Sequence, residues 1–371
     1  MRLLICAGGT GGGVYPALTV LQALGSDADS VLWVGGENGM EADLVARHHI
    51  PFTAIPAAGI HGVGLRTLPG NIIRLIRGTA ASRRILRDFH PDVLLFTGGY
   101  VAVPMALAAY AKKSLLYVPD IEPGLALKVL AYFADCVAVS VPESRAYFSR
   151  NKHVEVTGYP VRSDLTRWTR SESRSFMNLS EDLPVLLVYG GSKGARSINR
   201  ALIACLPEIL THTQVIHISG QLDWSEVQAA YERLTPDLAS RYHPYPYLHD
   251  EMGAALAAAD LVICRAGAST LGELPLFALP AILVPYPHAW RYQKVNAEYL
   301  AQSGGAILVE DEKLSQQMLP LVLELLQDPL KLEKMRGSMR QLLRSNAENK
   351  IADLLRGLAS DTLAEGRNTS W

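Results

Sequence analysis

Val185-Leu186-Leu187-Val188-Tyr189-Gly190-Gly191-Ser192-Lys193-Gly194-Ala195 reads as a buried strand running straight into a glycine-rich turn, and a helical pattern follows through Ile209. The chain opens in the same order. An apolar run, Arg2–Ala7, meets Gly8-Gly9-Thr10-Gly11-Gly12-Gly13, and a helix is expected to open near Pro16. Short, near-continuous apolar runs are what strands show when helices cover both faces of a parallel sheet. The restart of strand, glycine loop and helix near residue 185 predicts an α/β protein with two Rossmann-like domains.

Working outward, further strands read at Ser30–Val34, Val93–Thr97, Ser114–Val118 and Cys136–Ser140, then at Gln214–Ser219, Leu261–Cys264, Ala281–Val284 and Ala306–Val309. Helical patterns fill Pro16–Leu24, Glu41–His48, Ile72–Phe89 and Val103–Lys112. Gly158-Tyr159-Pro160 breaks the pattern, which places a boundary there. The expected division is an N-terminal domain over 1–160, a C-terminal domain over 161–345, and a terminal helix and polar tail over 346–371. Lys331–Ala359 reads as helix, with Ile351, Leu354, Leu355 and Leu358 on one apolar face that needs a partner surface.

Composition narrows the class. A chain of 371 residues suits two domains, and 49% hydrophobic against 19% charged residues supplies two cores. A net charge of -1 carries no nucleic-acid signature. Cys6, Cys136, Cys205 and Cys264 are scattered and form no CxxC pair, so neither a metal site nor a disulfide framework is expected, as in a reducing cytoplasm. The run Leu3–Ala7 is too short for a signal-peptide core. No stretch approaches the ~18 apolar residues of a membrane span.

Four segments carry chemistry. In Gly8–Gly13, glycine lets the backbone approach a ligand, and the following helix N-terminus offers free N–H groups to an anion. A ligand-free tight turn is the plain alternative, but a turn does not need so many glycines. The spacing is not GxGxxG, because counting from Gly9 and Gly11 puts Val14 last, and the second strand ends in Gly35-Gly36 rather than an acid. Both features weigh against a dinucleotide enzyme. In Gly190–Ala195, Ser192 offers a hydroxyl and Lys193 a charge, or the glycines serve only strand–helix packing. In Arg265–Glu273, small residues near Ala268–Thr270 let N–H groups reach a diphosphate, and Glu273 can accept both ribose hydroxyls or simply favour the helix dipole. In Pro285–Asn296, Gln293 and Asn296 share a helix face, as amides suited to sugar hydroxyls or as ordinary surface polarity.

These segments, in this order, resemble the MurG-type GT-B glycosyltransferases, which move N-acetylglucosamine from UDP to the C4 hydroxyl of lipid I and so make lipid II for peptidoglycan. The resemblance spans nearly the whole chain: Gly8–Gly12 with Pro16-Ala17-Leu18, Met40–Val45, Thr97–Val101, Gly158–Arg162, Gly190–Arg196, Arg265–Glu273 and Gln293–Ala297. It implies two Rossmann-like domains facing a central donor cleft, with the C-terminal helix packed back toward the N-domain. It implies that Arg162 and Ser192 contact the donor nucleotide or phosphates and that Leu248 lines the uracil pocket. Ala268, Ser269 and Thr270, with Leu271 and Gly272 beside them, would meet the diphosphate and sugar, Glu273 the ribose, and Gln293 the donor sugar. Thr10, Gly11, Gly12 and Gly13, and the loop Thr97–Tyr100, would face the acceptor pyrophosphate. No cofactor or metal is implied. The partners would be UDP-N-acetylglucosamine, a polyprenyl-pyrophosphate-linked acceptor and the cytoplasmic face of a bacterial membrane.

Two departures fall on the acceptor side. The family's first loop carries a His where this chain has Gly13, and its His-Glu-Gln-Asn motif is replaced by Tyr117-Val118-Pro119-Asp120. An inverting transfer needs a general base for the acceptor hydroxyl. With no His at those positions, Asp120 and Glu122 become the candidates, or they are ordinary loop acids. The stretch 66–87 mixes Arg66, Arg74, Arg77, Arg83, Arg84 and Arg87 with Leu68, Ile72, Ile73, Leu75 and Ile76 and holds no acid. Such a helix suits an anionic bilayer surface, or presents a solvated arginine face. Three other readings stay open: a related transferase with a different lipid-linked acceptor, a silent UDP-sugar-binding protein, and a dinucleotide oxidoreductase.

Overall fold

The structure is a computed structural model that describes residues 1–8, 11–37, 39, 41–59, 67–191, 194–288 and 292–368, without the side chains of 11 and 362–368. The chain forms two compact units, Met1–Val161 with Arg344–Trp371, and Arg162–Leu343.

Among the described residues, the first unit carries a parallel sheet of β1 (Arg2–Ala7), β2 (Ser30–Gly36), β3 (Phe52–Ile55), β4 (Val93–Gly98), β5 (Ser114–Val118), β6 (Cys136–Val139) and β7 (Val154–Val156), in the order β3-β2-β1-β4-β5-β6-β7. The helices are α1 (Gly11–Leu24), α2 (Glu41–Ala46), α3 (Leu68–Phe89), α4 (Ala102–Ala108) and α5 (Leu125–Phe133). Leu4, Cys6, Phe96, Leu116 and Val118 are buried against Met105 and Leu130 of α4 and α5. Leu3, Ile5, Leu95 and Leu115, which alternate with them, are fully buried as well, so both faces of the sheet are covered and the strands read as unbroken apolar runs. Trp33 donates its indole N–H to the Ala7 carbonyl at 3.0 Å and so ties β2 to the end of β1.

The second unit repeats the plan with β8 (Val185–Tyr189), β9 (Gln214–Ile218), β10 (Tyr242–Tyr245), β11 (Leu261–Cys264), β12 (Ala281–Leu283) and β13 (Ala306–Leu308), in the order β10-β9-β8-β11-β12-β13. Its helices are α6 (Arg170–Phe176), α7 (Arg196–Leu210), α8 (Trp224–Tyr231), α9 (Pro236–Ala239), α10 (Met252–Ala258), α11 (Thr270–Leu276), α12 (Tyr292–Gln302), α13 (Leu314–Leu326) and α14 (Pro329–Leu342). Leu186, Val188 and Ile263 of the sheet pack with Ile198, Leu202 and Ile209 of α7 and Val322 of α13. Asp260, just before β11, accepts hydrogen bonds from Arg170, Arg174 and Arg336 at 2.7, 3.0 and 2.8 Å, which joins α6, β11 and α14.

Three local expectations change. First, α1 begins at Gly11 rather than near Pro16, so Pro16 lies inside the helix. Second, the tail is two helices, α14 and α15 (Ala347–Asn368), broken where the chain passes between units; Asn346 there has φ 59°. Third, the buried face of α15 is Ile351, Ala352, Leu355 and Ala359. Leu354 and Leu358 instead flank it and line a cavity of about 510 Å³ beside β7. Arg356 of α15 pairs with Asp27 at 2.8 Å, beside the end of α1. The C-terminal helix thus supplies part of the first unit's own helical layer, against α1, β4 and β5.

Candidate functional site

Because every strand of each sheet runs parallel, all strand ends that feed loops lie along one edge, and the crevice opens where the strand order reverses. In the second unit that reversal lies between β8 and β11. The loops after them are Gly190–Ala195 and Arg265–Ser269. Arg265 anchors the second loop. Its guanidinium donates to the Val284 carbonyl at 3.1 Å and the Ser197 hydroxyl at 2.8 Å, pairs with Asp311, and stacks 5.3 Å over the Tyr286 ring. These contacts hold its side chain within the fold.

The turn into α11 is wound tightly. Thr270 donates its N–H at 3.0 Å and its hydroxyl at 2.6 Å to the Gly267 carbonyl. The N–H of Leu271 goes to Ala268, and those of Gly272 and Glu273 go to Ser269. Among the described residues, this leaves the N–H groups of Ala268 and Ser269 without a backbone acceptor. The N–H and hydroxyl of Thr270, by contrast, both turn back onto Gly267. Leu271 and Gly272 are buried supports.

Glu273 lies one turn further on and is partly buried. Burial pushes its carboxyl above the ordinary range; the Ser269 hydroxyl and the Arg162 guanidinium pull it back, and Asp164 adds to the rise. Arg162, partly exposed and 3.7 Å from Asp164, therefore shares one electrostatic neighbourhood with Glu273. Sequence distance hides this grouping, because the two positions are over a hundred residues apart.

Gln293 accepts the Tyr286 N–H on its side-chain oxygen at 2.8 Å, so its NH₂ group remains to donate. Asn296 does not share that role: it is fully buried and donates to the Ala266 carbonyl at 3.2 Å, clamping α12 to the β11 loop. Leu248 lies partly exposed beyond the end of β10, on the same sheet edge, next to the rings of Tyr247 and His249, which meet edge to face.

In the first unit the reversal lies between β1 and β4. Gly12 is exposed at the start of α1, whereas Gly13 is buried against β4. The Thr97 hydroxyl donates to the Gly13 carbonyl at 2.7 Å, and a Cβ at Gly13 would sit 3.2 Å from the Thr97 carbonyl. Gly99 has φ 86°, and a Cβ there would collide with the Gly8 carbonyl, so only glycine lets the two loops close together. Glu41, which the spacing arguments gave no role, is buried and accepts the Gly36 N–H at 2.8 Å beneath Gly8 and Gly39.

Tyr117 is buried, its hydroxyl 2.9 Å from that of Ser140, and burial raises its pKa. Ser140 also bonds the Pro119 carbonyl at 2.8 Å, which fixes the backbone just before Asp120. Asp120 is partly buried. Glu122 is nearly enclosed and lies 3.5 Å from Lys128 Nζ. Gly11 is placed only by its backbone, and Thr10, Ser192, Lys193 and Arg66 lie outside the described residues.

Two Rossmann-like units, each with a glycine loop at its strand reversal, define a GT-B protein. Residues 3–139 match the glycosyltransferase family 28 N-terminal domain, and residues 185–355 match the family 28 C-terminal domain. The chain belongs to glycosyltransferase family 28. It is 40% identical, over 96% of its length and 95% of the relative's, to the UDP-N-acetylglucosamine--N-acetylmuramyl-(pentapeptide) pyrophosphoryl-undecaprenol N-acetylglucosamine transferase of Roseiflexus sp. (strain RS-1). The protein of the same name from Desulforudis audaxviator (strain MP104C) is 38% identical over 97% of this chain and 99% of the relative. Among solved structures, MurG of Acinetobacter baumannii superposes with a TM-score of 0.77 at 27% identity, covering 96% of this chain and 99% of that one.

Proposed function

We propose that this glycosyltransferase moves N-acetylglucosamine from UDP-N-acetylglucosamine, with inversion, to the C4 hydroxyl of lipid I, forming lipid II in peptidoglycan synthesis. The observation that carries the reading is end-to-end similarity, at 40% identity, to a relative named for this transfer. The second unit supports it with a carboxylate, a guanidinium and, among the described residues, two N–H groups without a backbone acceptor around one loop.

In this reading Glu273 accepts the ribose hydroxyls, Leu248 lies against the uracil, and Gln293 donates to the donor sugar. As the acceptor oxygen attacks the anomeric carbon, the bond to UDP breaks and UDP leaves with the electron pair. Arg162, Ser192 and the N–H groups of Ala268 and Ser269 meet the growing charge on the diphosphate. Asp120 takes the proton from the acceptor hydroxyl, with Glu122 the second candidate. The loops at Thr10–Gly13 and Thr97–Tyr100 receive the acceptor pyrophosphate.

We place the enzyme on the cytoplasmic face of the membrane, on α3. Ile72, Ile73 and Ile76 are exposed there at 42, 50 and 63%, beside exposed Arg74 and Arg77. Apolar side chains in water among cations match the headgroup region of an anionic bilayer. Among the described residues no helix is long and apolar enough to cross it. A different lipid-linked acceptor is favoured by one feature, the buried, hydrogen-bonded Tyr117 where the family has a His. Offering UDP-N-acetylglucosamine with either a short-chain lipid I analogue or a diacylglycerol separates the two. Transfer to the muramyl analogue alone supports the first reading, and transfer to diacylglycerol alone the second.

A further inference from the structure

His217 of β9 sits at the centre of a buried line of polar side chains. Its Nδ1 lies 2.7 Å from the Tyr242 hydroxyl and its Nε2 lies 3.0 Å from Asn199 Oδ1. Asn199 Nδ2 lies 2.9 Å from both the Ser219 carbonyl and Asp223 Oδ2. Asp223 Oδ1 accepts from Arg196 Nε at 2.9 Å.

The direction of every bond follows from donor chemistry. Two acceptors face one end of the Asn199 amide, so that end is the NH₂ group and the other is the carbonyl. A carbonyl facing His217 Nε2 requires that nitrogen to carry the proton. Burial pushes the His217 pKa down to about 3, against the opposing pull of Asp223, so the ring is neutral and Nδ1 accepts from Tyr242. The line therefore runs one way, from Tyr242 through His217 and Asn199 to Asp223, where Arg196 arrives from the other side.

The Asp223 end of the line reaches the glycine loop after β8, while Tyr242 lies further back, opposite Val215 of β9. Arg196 is the first residue of α7, directly after that loop. The Ser219 carbonyl, held by Asn199, lies against Gly194, whose φ is 77° and where a Cβ would collide with that carbonyl. Stability alone does not demand such a line, since an apolar core of equal volume serves a fold as well. We propose that Tyr242, His217, Asn199 and Asp223 are positioning residues that set the backbone at Gly194 and the start of α7 at Arg196, and with them the binding of the diphosphate of the nucleotide sugar. This rests on the donor-site reading above.

The test is UDP affinity by calorimetry on the full chain. Asn199→Asp keeps the shape but turns the donor toward Ser219 and Asp223 into an acceptor. UDP binding is expected to weaken at least tenfold, with a cooperative thermal transition retained. Asp223→Asn, at the end of the line that the exposed Arg196 meets, is expected to weaken it about threefold, and it reads the same device if Asn199→Asp does not fold. The double variant Asn199→Asp/Asp223→Asn restores a donor between the two positions and should recover at least threefold over Asn199→Asp. Both single variants binding UDP within twofold of wild type, or no recovery in the double variant, would overturn the inference. Wild-type protein that fails to bind UDP at all would instead sink the donor reading, and this inference with it.

Discussion

Glu273 carries the sharpest conflict between stability and function in the second unit. Its folded-state pKa lies above the ordinary value of 4.5 because it is buried. A raised carboxyl pKa contributes stability that is fully present below the unfolded value and is lost as pH rises through the folded value. At neutral pH the ionised carboxylate is therefore a burden on the fold, which ribose hydroxyls would relieve in the donor site proposed above. Glu273→Gln should melt higher than wild type at neutral pH and bind UDP at least tenfold more weakly, about 1.4 kcal/mol. For the same reason, wild-type donor KM should climb on acidification at a higher pH than an ordinary carboxylate dictates, and the Gln variant should lose that dependence. A flat donor KM in the wild type would remove Glu273 from the site. On the acceptor side, Asp120→Asn should lower turnover by about a hundredfold or more while UDP affinity holds, the range expected for a lost general base. Full turnover in Asp120→Asn would pass the role to Glu122, whose Lys128 neighbour would then have to be displaced.

Elements show where the sequence could be read and where it could not. The long apolar strands β1, β4, β5, β8 and β11 announce themselves, since nothing but a doubly covered sheet needs such runs. Phe52–Ile55, Val154–Val156 and Tyr242–Tyr245 do not: they are three or four residues long, lie at the sheet edges and are largely half-buried, so they lack both length and pattern. The break between α14 and α15 was hidden because Leu343-Arg344-Ser345-Asn346 contains neither Gly nor Pro. It exists because the chain must pass to the other unit there. Asn296, open in the sequence between a sugar-facing amide and surface polarity, is fully buried, because helical spacing shows which residues share a face but not which face is buried. The exposed isoleucines of α3 make a prediction at this scale. Ile73→Ser with Ile76→Ser should weaken binding to anionic vesicles several-fold without altering UDP affinity, as sedimentation with phosphatidylglycerol vesicles would record. Unchanged binding would leave α3 as a solvated face.

At the scale of the whole molecule, the chain leaves its first unit at Val161 and returns at Arg344 to complete it. Leu355 of α15 is fully buried in that unit. Leu355→Ala should cost the first unit about 2–5 kcal/mol, the usual penalty for emptying a core leucine site. If the units melt separately, calorimetry should show the first transition lowered and the second unmoved. The donor half was more legible than the acceptor half for a physical reason. The donor contacts proposed above come from backbone N–H groups and short loops, which leave glycines and small residues in the sequence. The proposed acceptor base is a single side chain, which leaves no pattern in the sequence, and the geometry around Tyr117, Ser140 and Asp120 says where to look.

The central claim is the transfer itself. Purified protein, UDP-N-acetylglucosamine and a short-chain lipid I analogue should together release UDP and yield a product heavier by one N-acetylglucosamine, with neither substrate sufficient alone. UDP-N-acetylglucosamine binding with no product from that analogue would contradict the assignment.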